Sequence, residues 1–130
     1  MIDHLTLRVR DYPKSKRFYE LILAPLGYQV VMKFDVPNLG EICGIGEEGK
    51  PTLWLAPAEA AHTAPVGQHL AFRARDHQAV EAFHRAALAA GGRDEGAPGP
   101  RPHYHPHYYG AFAIDPDGQV VEAVCHAPQA

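Results

Sequence analysis

Residues 4–27 read HLTLRVRDYPKSKRFYELILAPLG, and residues 69–92 read HLAFRARDHQAVEAFHRAALAAGG. The two segments align without a gap at an offset of 65 residues and share nine identities in 24 positions. Two unrelated segments of average composition share about one or two. Only three of the nine identical pairs are Ala or Leu, so composition does not explain the match. The chain therefore contains an internal duplication.

The first copy predicts a strand followed by a helix. Polar and apolar residues alternate over residues 4–10, which is typical of a strand with two different faces. Asp11 then suits a helix N-cap, with Pro13 in the first turn. Apolar side chains at helical spacing predict the buried face, and a glycine predicts the helix exit: Phe18, Leu21, Ile22 and Gly27.

The second copy follows the same plan, with a strand over residues 69–75 and Asp76 as the N-cap. Its expected buried stripe and its helix stop are formed by Val80, Phe83, Ala87, Leu88, Gly91 and Gly92.

Short strands are expected after each helix. In the first copy they cover residues 28–34, 41–45 and 52–56, with a hairpin turn at residues 47–50. In the second copy they cover residues 108–114 and 119–125, joined by the turn Asp115-Pro116-Asp117-Gly118. The remaining strand of the second copy is expected in or near residues 93–107. This stretch is rich in Pro and Gly, so it is otherwise expected to be mostly loop. The predicted fold class is α+β, with two tandem βαβββ modules over about residues 1–62 and 67–126.

Composition bounds the function. A chain of 130 residues forms one domain, here residues 1–130, and 46% hydrophobic residues suffice for a core. A net charge of −3 provides no basic surface for nucleic acid, and no apolar run is long enough to span a membrane. We therefore expect a cytoplasmic protein with a small-molecule partner. Cys43 and Cys125 are too few for a disulfide framework and are expected to be buried thiols.

Three residues are candidate metal ligands. His4 and His69 occupy equivalent positions in the two copies, so a pseudo-twofold axis between curved sheets would bring their imidazoles together. Glu122 interrupts the apolar run of residues 120–124, where burial of a carboxylate requires a positive partner. Two imidazoles and one carboxylate can hold a divalent metal with open positions. Alternatively, the histidines are structural or surface residues and Glu122 faces solvent on an edge strand.

The layout resembles the vicinal oxygen chelate superfamily, which includes glyoxalase I, extradiol dioxygenases, fosfomycin-resistance transferases and bleomycin-binding proteins. The resemblance covers nearly the whole chain. It is carried by His4, Ser15, Phe18, Tyr19, His69 and the segment AFAIDPDGQVVE at residues 111–122. The resemblance implies a curved, partly open barrel around a metal site, with His4, His69 and Glu122 at the ligand positions.

Two departures restrict what the resemblance implies. Glyoxalase I has a fourth ligand, a glutamate, on the last strand of its first module, but residues 52–57 read TLWLAP. A standard lactoylglutathione lyase mechanism is therefore not implied, and Trp54 is expected to shape an apolar wall or core. The dioxygenase pattern expects a tyrosine where Phe112 stands.

Residues 101–109 concentrate histidine and tyrosine before a predicted strand. Tyr104, His105 and Tyr109 are candidate catalytic residues, because these side chains transfer protons or orient an oxyanion near neutral pH. The alternative is a solvated loop whose aromatic rings cover a dimer partner.

The resemblance implies Lewis-acid catalysis on a small molecule with adjacent oxygens, by lyase, dioxygenase or transferase chemistry with Fe, Mn, Ni or Zn. The alternative function is a metal-free drug-binding protein like the bleomycin-resistance proteins, and a closed structural metal site is a third reading. Members commonly form homodimers, sometimes with exchanged modules, so the ligands come from one chain or from two.

Overall fold

A computed structural model describes residues 1–59 and 66–129. Within these residues the elements follow in the order β1 (Leu5–Val9), α1 (Tyr12–Leu23), β2 (Gln29–Val36), β3 (Gly40–Glu47), β4 (Lys50–Pro57), β5 (His69–Arg73), α2 (His77–Ala89), β6 (Arg93–Pro100), β7 (Tyr109–Ile114) and β8 (Val120–Cys125). Each half is a βαβββ module, as the duplication predicts. The expected module boundary at residue 62 lies outside the described residues.

The two modules form two four-stranded mixed sheets, in the orders β1-β4-β3-β2 and β5-β8-β7-β6. The opening strand of each module pairs in parallel with the last, and the other pairs are antiparallel. In the described part of the chain no strand of one sheet pairs with a strand of the other. The α+β tandem fold is thus confirmed, with sheets that do not close into a barrel.

Both helices begin at the predicted N-caps. The Asp11 carboxylate accepts the backbone N–H of Lys14, and the Asp76 carboxylate accepts that of Ala79. The predicted buried stripes need correction at Leu21 and Leu88, each 42% exposed. The buried face of α1 is centred on Ser15, Tyr19 and Ile22 rather than on Phe18, so Leu21 lies on the outside of the helix. In α2, Leu88 lies beside the buried stripe of Val80, Phe83 and Ala87.

No helix among the described residues has the length and apolarity needed to cross a membrane.

The two modules are joined through α1, α2 and the turn at residues 115–118. Asp115 folds the turn by accepting the backbone N–H groups of Asp117 and Gln119 at 2.8 Å, and Gly118 has a φ of +89°. The other Asp115 oxygen accepts the Tyr19 hydroxyl of α1 at 2.5 Å. The turn therefore fixes the last strand of the second module against the helix of the first.

The remaining strand of the second module lies in the expected stretch, because residues 93–100 form β6. The expectation that this stretch is mostly loop is therefore wrong for its first half. This strand lies at the edge of its sheet, where proline does not interrupt hydrogen bonding on both sides. Its pairing with β7 shifts register on both sides of Gly96, so bulges absorb the residues that a regular strand would not hold.

The hairpin turn and the cysteines agree with expectation. Glu47 pairs with Lys50 across a two-residue turn, and both central residues, Glu48 and Gly49, have positive φ. Cys43 and Cys125 are buried free thiols in the core between sheets and helices.

Candidate metal centre

Each sheet has a core face against the helices and an opposite face, which we term the open face. On the second sheet Ala111, Ala113, Val121 and Ala123 are fully buried in the core. Strand alternation therefore directs Glu122 and its cross-strand partner Phe112 to the open face. His69 belongs to the same face, because it lies two residues before Ala71, which pairs with Glu122.

His69 and Glu122 come together on this face. His69 Nε2 lies 2.7 Å from Glu122 Oε2. The Glu122 side chain is only 2% exposed whereas that of His69 is 52% exposed, so the carboxylate is shielded and the imidazole meets solvent. The His69 ring also packs edge-on against Phe112 at 5.9 Å. A nitrogen and an oxygen donor are thus held side by side by two hydrogen-bonded strands, a donor pair that suits a divalent transition metal.

Tyr108 contacts the same carboxylate. Its hydroxyl donates a hydrogen bond to Glu122 Oε1, the oxygen that His69 does not contact. Burial, followed by the hydrogen bond with Glu122, raises the pKa of the Tyr108 phenol well above its ordinary value. Tyr108 is therefore a protonated donor at neutral pH, and both Glu122 oxygens have partners.

His4 lies apart from this pair within one chain. Its Nδ1 is 2.7 Å from Asp3 Oδ1, and its side chain is 55% exposed. No group of three or more His, Cys, Asp or Glu side chains that could hold a metal occurs in the described part of this single chain. The structure brings together two of the three predicted ligands, and the complete triad stays a prediction.

Trp54 occupies the position in the first sheet that Glu122 occupies in the second. Thr6 pairs with Trp54, Ala71 pairs with Glu122, and Thr6 and Ala71 are equivalent in the duplication. The Trp54 indole stacks on Phe34 with ring centroids 5.7 Å apart. With His4 and Thr6 these rings line a cleft of about 450 Å³. The residue in place of a fourth carboxylate is therefore an aromatic wall.

A second cleft, of about 580 Å³, lies between the modules. Ala71 and Val124, which flank Glu122 on the open face, form part of its wall. Tyr28 and Arg73 line it as well, and the Tyr28 hydroxyl donates to the Arg73 carbonyl at 3.0 Å. Neither His69 nor Glu122 is among the residues that line this cleft, so Ala71 and Val124 separate its space from the pair.

The predicted catalytic residues take three different places. Tyr109 donates to Glu81 of α2 at 3.0 Å and stacks on His77, so it lies on the core side of the sheet. Tyr104 is exposed, and its ring packs against Tyr108 at 4.9 Å. His105 contacts His126. None of the three has a hydrogen bond to His69 or Glu122 among the described residues, and a catalytic role for them stays a prediction.

Sequence reasoning missed Tyr108, although strand parity contained the signal. Ala111 and Ala113 are the apolar, core-facing positions of β7, and Tyr109 shares their parity. Tyr108 instead shares the parity of Gly110 and Phe112, which face Glu122. Counting by two from Ala111 and Ala113 distinguishes the two adjacent tyrosines.

The family comparison agrees with this fold. The family model of the Glyoxalase/Bleomycin resistance protein/Dioxygenase superfamily matches residues 1–123. The chain belongs to this superfamily. No curated protein matches the chain.

Solved structures with the same fold extend the comparison. A glyoxalase/bleomycin resistance protein from Albidiferax ferrireducens is 28% identical, with a TM-score of 0.76 over 95% of this chain and 96% of that chain. A glyoxalase I mutant from Zea mays is 29% identical with a TM-score of 0.68, over 95% of this chain and 46% of the maize chain. The present chain therefore spans about half of that protein. The fold is also shared by a glyoxalase/bleomycin resistance protein/dioxygenase family enzyme from Burkholderia phytofirmans PsJN. That protein is 20% identical, with a TM-score of 0.70 over 97% of this chain and 98% of that chain.

Proposed function

We propose that this chain is a divalent-metal-dependent enzyme that binds adjacent oxygens of a small molecule. The observation that carries the proposal is the 2.7 Å contact between His69 Nε2 and the buried Glu122 carboxylate on an open sheet face. A carboxylate is costly to bury, and an imidazole beside it supplies the second donor of a metal site. Membership of a superfamily that includes dioxygenases supports the same function.

The third ligand is His4, supplied by a second copy of the chain. His4 and His69 are both more than half exposed, so each is accessible to a partner. Phe34, which lines the cleft beside His4, is 52% exposed, and its apolar ring favours coverage by another protein surface. A twofold dimer repeats each contact, so it would complete two equivalent centres.

His4, His69 and Glu122 would hold the metal, and the protein side of the chemistry follows from their surroundings. When bound, the metal supplies Lewis-acid stabilisation of negative charge on substrate oxygens. Glu122 neutralises part of the metal charge, and Tyr108 holds its second oxygen. Arg101 lies over the Phe112 ring at 5.5 Å and adds positive charge near the site.

With Trp54 in place of a fourth carboxylate, the ligand set keeps positions for substrate. This set is suited to iron-dependent oxygen chemistry, or to lyase or transferase chemistry with Mn, Ni or Zn. A standard lactoylglutathione lyase mechanism is not part of the proposal, because no acidic side chain lies on residues 52–57.

The second candidate is a metal-free drug-binding protein. It is favoured by the stacked Trp54 and Phe34 rings, since a cleft walled by aromatic side chains binds flat apolar ligands without any metal. In this case His69 and Glu122 form a structural hydrogen bond.

Metal content separates the two functions. We expect tag-free protein to bind about one divalent ion per chain, and His69→Ala and Glu122→Gln to lose it, because each removes a ligand. His107→Ala is the matched control, since His107 is exposed and its hydrogen bond to His105 Nδ1 uses the backbone N–H, which alanine keeps. The measurement is elemental analysis after dialysis against each of Fe, Mn, Ni and Zn.

Substoichiometric metal in the wild type with every ion would contradict the enzyme proposal. Equal metal in the wild type and in both ligand variants would contradict the assigned site. Ligand binding by the metal-free protein, lost in Trp54→Ala, would support the drug-binding candidate.

A further inference from the structure

We propose that Tyr108 is a positioning residue of the metal centre, which holds the Glu122 carboxylate so that Oε2 faces His69. This inference rests on the proposed function, because it assigns a role toward the metal. Tyr108 is neither one of the predicted metal ligands nor one of the predicted catalytic residues.

The two Glu122 oxygens have different partners. Oε2 lies 2.7 Å from His69 Nε2, and Oε1 accepts the Tyr108 hydroxyl. A carboxylate with a partner on one oxygen can rotate about its terminal bond, whereas partners on both oxygens fix its plane. Hydrogen bonds of this kind orient a ligand before a metal binds. Tyr108 therefore reduces the reorganisation that metal binding would require.

The backbone of Tyr108 is itself fixed. Its carbonyl accepts the N–H of Arg101 at 2.7 Å, and its N–H donates to the carbonyl of His105 at 3.1 Å. Arg101 in turn donates from its guanidinium to the carbonyls of Gly99 and Ala97, both at 2.9 Å. Hydrogen bonds within residues 97–108 thus hold the segment before β7 in one conformation, which fixes the position of the Tyr108 backbone beside Glu122.

The Tyr108 ring is bracketed on several sides. Tyr104 lies at 4.9 Å, His126 at 5.3 Å and His105 at 5.4 Å, all with their rings steeply inclined to it. His105 and His126 contact each other through Nε2 and Nδ1 at 2.5 Å. The His107 N–H donates to His105 Nδ1 at 3.2 Å. This bracket restricts the ring and keeps its hydroxyl on Glu122.

The test compares Tyr108→Phe with Tyr12→Phe. Each change removes a phenol that donates to a glutamate, but Tyr12 contacts Glu41 of the first module rather than Glu122. The probe is Co²⁺ added to metal-free protein, with affinity measured by chelator competition and geometry by the visible absorption spectrum. We expect Tyr108→Phe to bind Co²⁺ about 10–100-fold more weakly and with an altered spectrum, as for loss of a ligand's hydrogen-bond partner. Tyr12→Phe should match the wild type in both readouts.

Wild-type affinity together with a wild-type spectrum in Tyr108→Phe would overturn the inference. Gly110→Ala is a second perturbation should that variant fail to fold, because its Cβ would lie 3.3 Å from Glu122 Oε1 and 3.2 Å from the Tyr108 ring. We expect it to weaken Co²⁺ binding as well, and unchanged binding would overturn the inference.

A metal-free readout separates failure of this inference from failure of the proposed function. If the wild type binds no Co²⁺, the proposed function fails, and the His69 ring nitrogen signals then test Tyr108 by NMR. These signals should differ between the wild type and Tyr108→Phe, because the freed carboxylate changes its contact with His69. Identical signals would overturn the positioning role.

Discussion

Glu122 and Trp54 occupy equivalent positions on the last strands of the two modules. Both occupy the place opposite the opening strand, in identical register. Glu122 is buried beside an imidazole and a phenol, whereas Trp54 lies on Phe34. The duplication therefore preserved backbone geometry while the two open faces acquired a donor site and an aromatic wall.

Gly44 allows that aromatic wall to form. A Cβ at Gly44 would lie 2.6 Å from Pro51 Cβ and 3.1 Å from the Trp54 ring. We expect Gly44→Ala to lower the free energy of unfolding by about 1–3 kcal/mol, because added volume in a filled space displaces neighbours. Denaturant titration at a fixed protein concentration measures this loss.

Gly99→Ala is the control for this change, since its Cβ would meet mainly Arg101 Nη1, the end of a flexible side chain, at 3.2 Å. A loss in Gly44→Ala no larger than in Gly99→Ala would contradict the packing argument.

The turn between β7 and β8 acts as an element that connects modules. Asp115 is buried, and desolvation raises its pKa above the ordinary value even though the Tyr19 hydroxyl and two backbone N–H groups favour the charged form. Arg10 extends the connection by donating its backbone N–H to Asp117 at 3.0 Å. Contacts at one turn thus hold two sheets in a common arrangement.

Tyr19→Phe tests the strength of this connection. We expect it to lower the free energy of unfolding by about 1–3 kcal/mol, because a buried carboxylate loses a donor. Loss of that donor raises the Asp115 pKa further. The extra destabilisation is therefore present above the raised pKa and diminishes as the pH falls through it. Thermal or urea unfolding at pH 7 and near pH 4 measures both effects.

Tyr12→Phe is the matched control, since the Tyr12 hydroxyl donates to Glu41, whose side chain is 36% exposed. We expect a smaller loss there, because water can replace the lost donor. Equal losses in the two variants, without dependence on pH in Tyr19→Phe, would show that the Asp115 contact contributes little.

The two modules each present an open sheet face, and the three predicted ligands are divided between them. His69 and Glu122 lie on the second, and His4 lies apart from them beside the cleft of the first. If a second copy completes the site, the centre belongs to a dimer rather than to a chain. Metal binding and dimer formation are then linked, since metal stabilises the assembly that contains its ligands.

Mixing two inactive variants tests this arrangement. His4→Ala and His69→Ala chains, unfolded together and refolded, should recover about a quarter of the wild-type metal sites, since half of the dimers are mixed and each has one intact site of two. Metal content of the mixture, compared with each variant refolded alone, measures the recovery. A mixture that binds no more metal than its components would exclude a site shared between chains.

The local pattern of the sequence was sufficient for most of the fold. Asp11 and Asp76 cap their helices as expected, and the turn at residues 115–118 forms because proline, aspartate and glycine restrict or permit particular backbone angles. The repeated βαβββ plan predicted a strand in or near residues 93–107, but the local pattern did not give the bounds of β6. Its glycines and prolines oppose a strand locally, and only its place at a sheet edge makes them acceptable.

The duplication, the alternating strands and the superfamily resemblance were thus determined by residue order, because short-range spacing specifies strands, helices and turns. Which groups meet was decided by tertiary structure. Strand parity separates Tyr108 from Tyr109, but the contact of Tyr108 with Glu122 and the separation of His4 from His69 within one chain depend on how the strands and helices pack. These arrangements involve residues far apart in the chain, so local spacing gives the face on which a residue lies but not its partner.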